Sequence, residues 1–221
     1  MDKGPLYLSA LAAGLLLGLV LTRRWRPLLA RRWRAMFLIY PALIVSVLPF
    51  LIWHVRPEWI WSHDRSYFIS LVLLRTLLWS LFFCLNLLPA RWFSEKPDSG
   101  LSWLQKISLM PVVIGLFGEA AVLVLNQGFW PVSEAILTES VTPAFAAGIR
   151  NNAYVFLRII DQQTRLPWLA QIIPCPFLHA HHLTLLPSIS PAEILTAAGL
   201  FFIGLTQFLA PDLPKEPAED T

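Results

Sequence analysis

The chain has 221 residues, 56% of them hydrophobic and only 14% charged, and its mean hydropathy is +0.59. That is too apolar for an ordinary soluble domain and too short for many membrane crossings, which leaves one compact membrane domain over residues 1–210 with a polar tail at 211–221. The formal net charge of +3 is too modest to indicate a nucleic-acid partner, and its placement says more than its size.

A helix that crosses the hydrocarbon needs about 20 apolar residues. Residues 5–22, 35–55, 67–89, 107–127 and 192–210 come close to that length. The fold class expected is therefore all-α, an integral membrane bundle of about five transmembrane helices. Residues 128–191 form its long outer loop, which carries an amphipathic interfacial helix. Apart from Trp79, the tryptophans fall near span ends or in loops, where amphipathic rings collect at a membrane interface.

The first apolar run lacks a small-x-small cleavage site, and its positive charge follows it at Arg23 and Arg24 instead of preceding it. It reads as a retained span with the N-terminus outside. Arg23, Arg24, Arg26, Arg31, Arg32 and Arg34 come next, and the positive-inside rule places them in the cytoplasm. Arg91, Lys96, Lys106 and Lys215 join them on that side, so the C-terminus is cytoplasmic too. A specific lipid or nucleic-acid site is the sharper reading of the arginine cluster; the plainer one is a topology determinant resting on anionic lipid headgroups.

In the second span Pro41 and Pro49 each remove a backbone donor and should bend the helix. The third holds Arg75 and Cys84, and after the polar connection at 91–106 the fourth holds Glu119. Arg75 and Glu119 each lie eight residues from the outer end of their span, at Tyr67 and Gln127. At a rise of 1.5 Å per residue both sit about 12 Å deep, so they are expected to face each other as an intramembrane ion pair.

In the outer loop Phe145, Ile149, Ala153, Phe156, Leu157 and Ile160 recur at helical spacing, with Arg150, Asn151, Asn152, Arg158, Asp161 and Gln162 on other faces. This predicts one amphipathic helix, along which Asp161 and Arg165 are spaced to pair. Beyond it, Pro167, Pro174 and Pro176 exclude regular helix. Ser190-Pro191-Ala192-Glu193 is a capping box that opens the last span. The tail at 211–221 is expected to be disordered in the cytoplasm.

Gly118-Glu119, then Asn126-Gln127-Gly128-Phe129-Trp130-Pro131-Val132-Ser133, then Thr164-Arg165-Leu166-Pro167-Trp168-Leu169-Ala170-Gln171-Ile172-Ile173-Pro174 resemble a bacterial multi-pass membrane family, domain of unknown function 5317. Its pattern is an N-G-G-x-M-P-V-like turn after a membrane helix, a T-R-L-P-x-L-x-x-x-I-P-like segment, and a final span introduced by S-x-x-D. Gln127, Trp130, Glu119 and Glu193 depart from that pattern. The resemblance covers the C-terminal half by motif and the N-terminal half only by span layout. It implies a bacterial cytoplasmic (inner) membrane location and a topology, and carries no activity.

The Arg75–Glu119 pair reads either as a structural clamp between helices or as part of a proton or ion path. A second candidate is the outer-face motif of Asn126, Gly128, Trp130, Pro131, Asn151, Asp161, Thr164, Arg165 and Pro167. Its residues either bind a ligand or partner, or satisfy backbone groups where irregular chain meets the bilayer. His179, His181 and His182 are weak metal candidates, since a structural zinc needs four well-placed ligands. Cys84 and Cys175 fall on opposite sides of the membrane and read as packed free thiols.

No H-E-x-x-H, G-x-S-x-G or phosphate-cradling loop occurs, and no cofactor follows from the residues. The leading expectation is a non-catalytic accessory or scaffold subunit of a larger bacterial membrane complex, with membrane lipids and other subunits as partners. The alternatives are a small transporter or solute-binding protein that uses the Arg-Glu pair, and a membrane enzyme with a site in the outer loop.

Overall fold

The computed structural model describes residues 4–22, 36–55, 65–88, 103–139, 141–151, 156–175 and 188–209. The arginine cluster at 23–34, His179, His181, His182 and the tail at 211–221 lie outside the described residues.

Four long apolar helices come first: α1 (Gly4–Thr22), α2 (Ile39–Val55, entered by a 3-10 turn at Met36–Leu38), α3 (Arg65–Leu87) and α4 (Trp103–Leu125). Runs of Leu, Ile, Val, Ala and Phe become helical where no water is present to satisfy the backbone, because a helix bonds every interior peptide group to itself. Some of their hydroxyls follow the same logic. Ser46 donates to the Ala42 carbonyl at 2.6 Å and Ser108 to the Leu104 carbonyl at 2.8 Å, so neither is left unpaired in the apolar run. Pro41 falls in the first turn of α2, where a missing N–H removes no helical bond, so the bend expected there has no cause at that residue. Pro111 does sit in the interior of α4.

Between α4 and the last helix the chain folds into a cap. It contains β1 (Trp130–Val132), α5 (Glu134–Glu139), α6 (Pro143–Arg150), β2 (Leu157–Ile159), a 3-10 turn at Pro167–Leu169, β3 (Ile173–Pro174) and β4 (Ser188–Ile189). The final helix, α7, spans Pro191–Leu209. Strands β1 and β2 pair in parallel with Trp130 opposite Leu157, and β3 and β4 pair antiparallel with Ile173 opposite Ile189.

The described residues are thus mainly helical. Ile69–Leu87, Trp103–Leu125 and Pro191–Leu209 are long and apolar enough to cross a membrane, while Leu6–Thr22 is a shorter apolar helix and α2 has 17 residues. Large hydrophobic side chains such as Leu16, Ile44, Leu77, Phe117 and Phe202 point outward from the bundle, as lipid-facing side chains do.

Helix α7 lies between α1 and α4, antiparallel to α4. Glycines permit the contact: a Cβ on Gly204 would come within 2.7 Å of the Leu11 carbonyl, and one on Gly199 within 2.8 Å of the Val112 amide nitrogen. Close approach through small residues is how helices associate where lipid supplies no hydrophobic drive. Helix α3 packs on α4, and α2 on α3, where the Trp79 indole N–H donates to Ser46 Oγ at 3.3 Å. An apolar cluster that includes Leu38, Phe82, Phe83, Leu109, Val112, Leu116 and Ile203 fills this part of the bundle.

The cap has its own core. Trp130, Val132, Ile136, Leu137, Ala146, Ile149, Phe156 and Leu157 pack together and onto Val72 and Leu123 of the bundle. The single amphipathic helix expected over Phe145–Ile160 is therefore corrected. Helix α6 stops at Arg150, capped by Asn151, and Phe156 and Leu157 enter β2. Here backbone pairing overrides the periodicity: Trp130 N–H donates to the Phe156 carbonyl at 2.7 Å and Ile160 N–H to the Val132 carbonyl at 3.0 Å. Apolar residues of a helix and then of a strand happened to fall in phase. The start of α6 has a local cause, with Pro143 in the first turn and Thr142 Oγ1 accepting from Phe145 N–H.

Candidate functional site at the capped end of the bundle

Helix α4 runs toward the cap while α1, α3 and α7 run away from it, so polar residues on the four helices meet near their capped ends. The Arg75 guanidinium of α3 donates to Glu119 Oε2 of α4 at 2.8 Å. The Tyr7 hydroxyl of α1 donates to the other carboxylate oxygen, Oε1. Glu119 is only 3% exposed, and both of its oxygens are engaged by donors. A carboxylate taken out of water costs several kcal/mol unless it is paired and hydrogen-bonded, at about this level of satisfaction.

A second buried carboxylate stands on the next helix. Glu193 is 1% exposed and lies within electrostatic reach of both Tyr7 and Glu119. Its Oε2 accepts from Ser190 N–H at 2.7 Å and its own N–H donates to Ser190 Oγ at 3.1 Å, the reciprocal bonds of a capping box. Its Oε1 accepts from the Gln171 side chain at 3.0 Å.

Gln171 is fully buried and ties the cap to the bundle. Its side-chain oxygen accepts from Ser188 at 3.2 Å, its N–H donates to the Pro131 carbonyl at 3.0 Å, and its carbonyl accepts from Ser133 N–H at 3.1 Å. Tyr7, Gln171 and Ser188 were missed in the sequence. Tyr7 sits inside an apolar run, and nothing local marks Gln171 or Ser188 as partners of a helix start.

The outer-face motif divides into parts. Helix α4 ends in a Schellman arrangement, in which Gly128 N–H reaches the Leu123 carbonyl at 2.8 Å and Gln127 N–H the Val124 carbonyl at 3.1 Å. It requires positive φ at Gln127 (55°), which glycine would meet without steric cost, and Gly128 follows at φ 87°. Asn126 then clamps Arg165. Its side-chain carbonyl accepts Arg165 N–H at 2.8 Å, and its amide donates to the Arg165 carbonyl at 2.9 Å. This holds Leu166 in the left-handed region (φ 52°) and starts the 3-10 turn at Pro167. Trp130 and Pro131 are buried in β1.

Asp161 and Thr164 form a separate turn. Asp161 Oδ1 accepts from Gln163 N–H and from the Thr164 hydroxyl, both at 2.9 Å. The Thr164 hydroxyl beside Asp161, with that backbone N–H and Arg158, holds the carboxyl below the ordinary aspartate value. The ion partner of Asp161 is Arg158 at 2.8 Å and not Arg165, whose backbone is taken by Asn126. Arg158 also lies over the Phe129 ring, 5.5 Å from its centroid. Asn151 ends α6 at an exposed position, so the motif residues do not converge on one site. Cys84 is exposed and not packed, and Cys175 is half-buried; both are free thiols.

No curated protein and no solved structure matches the chain. Residues 101–205, which carry α4, the cap and most of α7, match the model of a family of unknown function, DUF5317.

Proposed function

We propose that this is a non-catalytic subunit of a larger bacterial membrane assembly, and that the cap is the platform it presents to its partners. The observation that carries this reading is the cap's own buried core, joined to the bundle through Asn126, Gln171 and Glu193. A segment that only linked two helices would need no such core. The cap also exposes an ordered charged rim. Arg150 pairs with Glu134, its Nε donating to Glu134 Oε1 at 3.0 Å, and Arg158 pairs with Asp161. Rims of this kind steer association and set register more than they add affinity.

In this reading all five apolar segments cross the cytoplasmic membrane, with the N-terminus and cap outside and the C-terminal tail inside. The arginines at 23–34 then face the cytoplasm and rest on anionic headgroups. A photo-crosslinking residue at Thr138 or Asn151, both exposed on the cap, tests the platform in native membranes. One protein adduct of fixed mass is expected from these positions and none from lipid-facing Leu77. Lipid adducts alone at all three would contradict the reading.

A further inference from the structure

The Arg75–Glu119 pair has buried polar neighbours that a simple clamp does not need. Thr76 and Ser80 are 4% and 5% exposed, and their hydroxyls have no hydrogen-bond partner among the described residues. Val72, Thr76, Ser80 and Phe83 share one face of α3 at helical spacing. Val72 packs in the cluster that contains Leu123 of α4, and Phe83 in the cluster that contains Leu109, Val112 and Leu116. Thr76 and Ser80 are therefore buried on α3 between those levels, Thr76 next to Arg75 in the chain and Ser80 one turn further on. Arg75 Nε is likewise buried and without a partner among the described residues. Leaving buried donors unmade costs about 1–3 kcal/mol each, and interiors normally satisfy such groups with ordered water.

We propose that Glu119 is a proton-binding site within the membrane, reached through water held on the Thr76 and Ser80 hydroxyls. The donor set selects the ligand. A metal cation needs several oxygen ligands at once, whereas the Glu119 oxygens already accept from Tyr7 and from the Arg75 guanidinium and keep one lone pair each. An anion is repelled by Glu119 and by Glu193 nearby. A proton needs only one such lone pair. In the step, a hydronium ion gives its proton to a Glu119 oxygen and becomes water, and an O–H bond forms as the charge pairing with Arg75 is lost. Release is the reverse. Among the described residues, the charged and titratable groups facing Glu119 are Tyr7 of α1, Arg75 of α3 and Glu193 of α7.

This inference is independent of the platform reading, and infrared spectroscopy of the full chain in lipid, recorded as differences between pH values, tests it. A carboxylic-acid band is expected that grows as pH falls, disappears in Glu119→Gln, and persists at a shifted frequency in Glu119→Asp should the first variant fold poorly. Thr76→Val with Ser80→Ala is expected to move its midpoint by about one pH unit, a tenfold change in proton affinity. A band that disappears in Glu193→Gln instead, the absence of any titrating band sensitive to Glu119, or a midpoint unmoved by the hydroxyl variants would overturn the proposal.

Discussion

Asn126 and Arg165 stand 39 residues apart, and the side chain of the first forms a two-bond ring with the backbone of the second, at 2.8 and 2.9 Å. One amide thereby ends a long helix and fixes the start of the segment that returns to it. Asn126→Ala removes both bonds, with an expected loss of about 1–2 kcal/mol. Hydrogen exchange should rise at Arg165 and through the 3-10 turn at Pro167–Leu169. Unchanged exchange there would mean that packing alone holds the cap.

The buried ion pair makes a contrasting prediction. Arg75→Met strands the Glu119 carboxylate and should cost about 3–5 kcal/mol, whereas Arg75→Met combined with Glu119→Leu should cost much less. Denaturant unfolding in detergent for the two single variants and the double gives the coupling. Additive losses would show that the 2.8 Å contact contributes nothing.

Glycines in the α4–α7 seam differ in what surrounds them. A Cβ at Gly199 meets backbone atoms of Val112 and Ser108 at 2.8 and 3.0 Å, whereas at Gly118 it meets the Ala192 Cβ at 3.1 Å and Leu169 Cδ1 at 3.7 Å. Backbone cannot yield as a side chain can. Gly199→Ala is expected to lower stability by about 1–3 kcal/mol and Gly118→Ala by less. Thermal melts of the two variants in one detergent decide this, and the reverse order would refute the seam geometry.

The turn at Asp161 should respond to acid. Its carboxyl titrates below the ordinary value when folded, so the stabilisation is full above the unfolded value of about 3.9 and is lost as pH falls through the lower folded value. Amide exchange at Gln163 is expected to accelerate on acidification, beyond the intrinsic rate change, in the native chain but not in Asp161→Asn. Identical profiles would remove the carboxylate from the turn.

What could be read from the sequence follows from how local each cause is. The long apolar helices needed only composition, and the capping box at Ser190–Glu193 needed four adjacent residues. Equal depth along antiparallel helices was enough to bring Arg75 and Glu119 to the same level. Tyr7 escaped notice because its partner lies 112 residues away on a helix not adjacent in the chain. Gln171 escaped because its contacts depend on β1 and on the start of α7. The cap strands escaped because Phe156 and Leu157 continue the spacing of α6 although their backbone pairs with β1.

The platform reading stands or falls on whether the cap holds a partner in the native membrane. Native mass spectrometry after gentle extraction, with the chain tagged at its C-terminus, measures this directly. The expected result is a complex of defined stoichiometry that reduces to the single chain when Glu134→Lys and Arg158→Glu reverse charge on the cap rim, while the helical signal is unchanged. A single chain in both samples, stable and without partners, would contradict it.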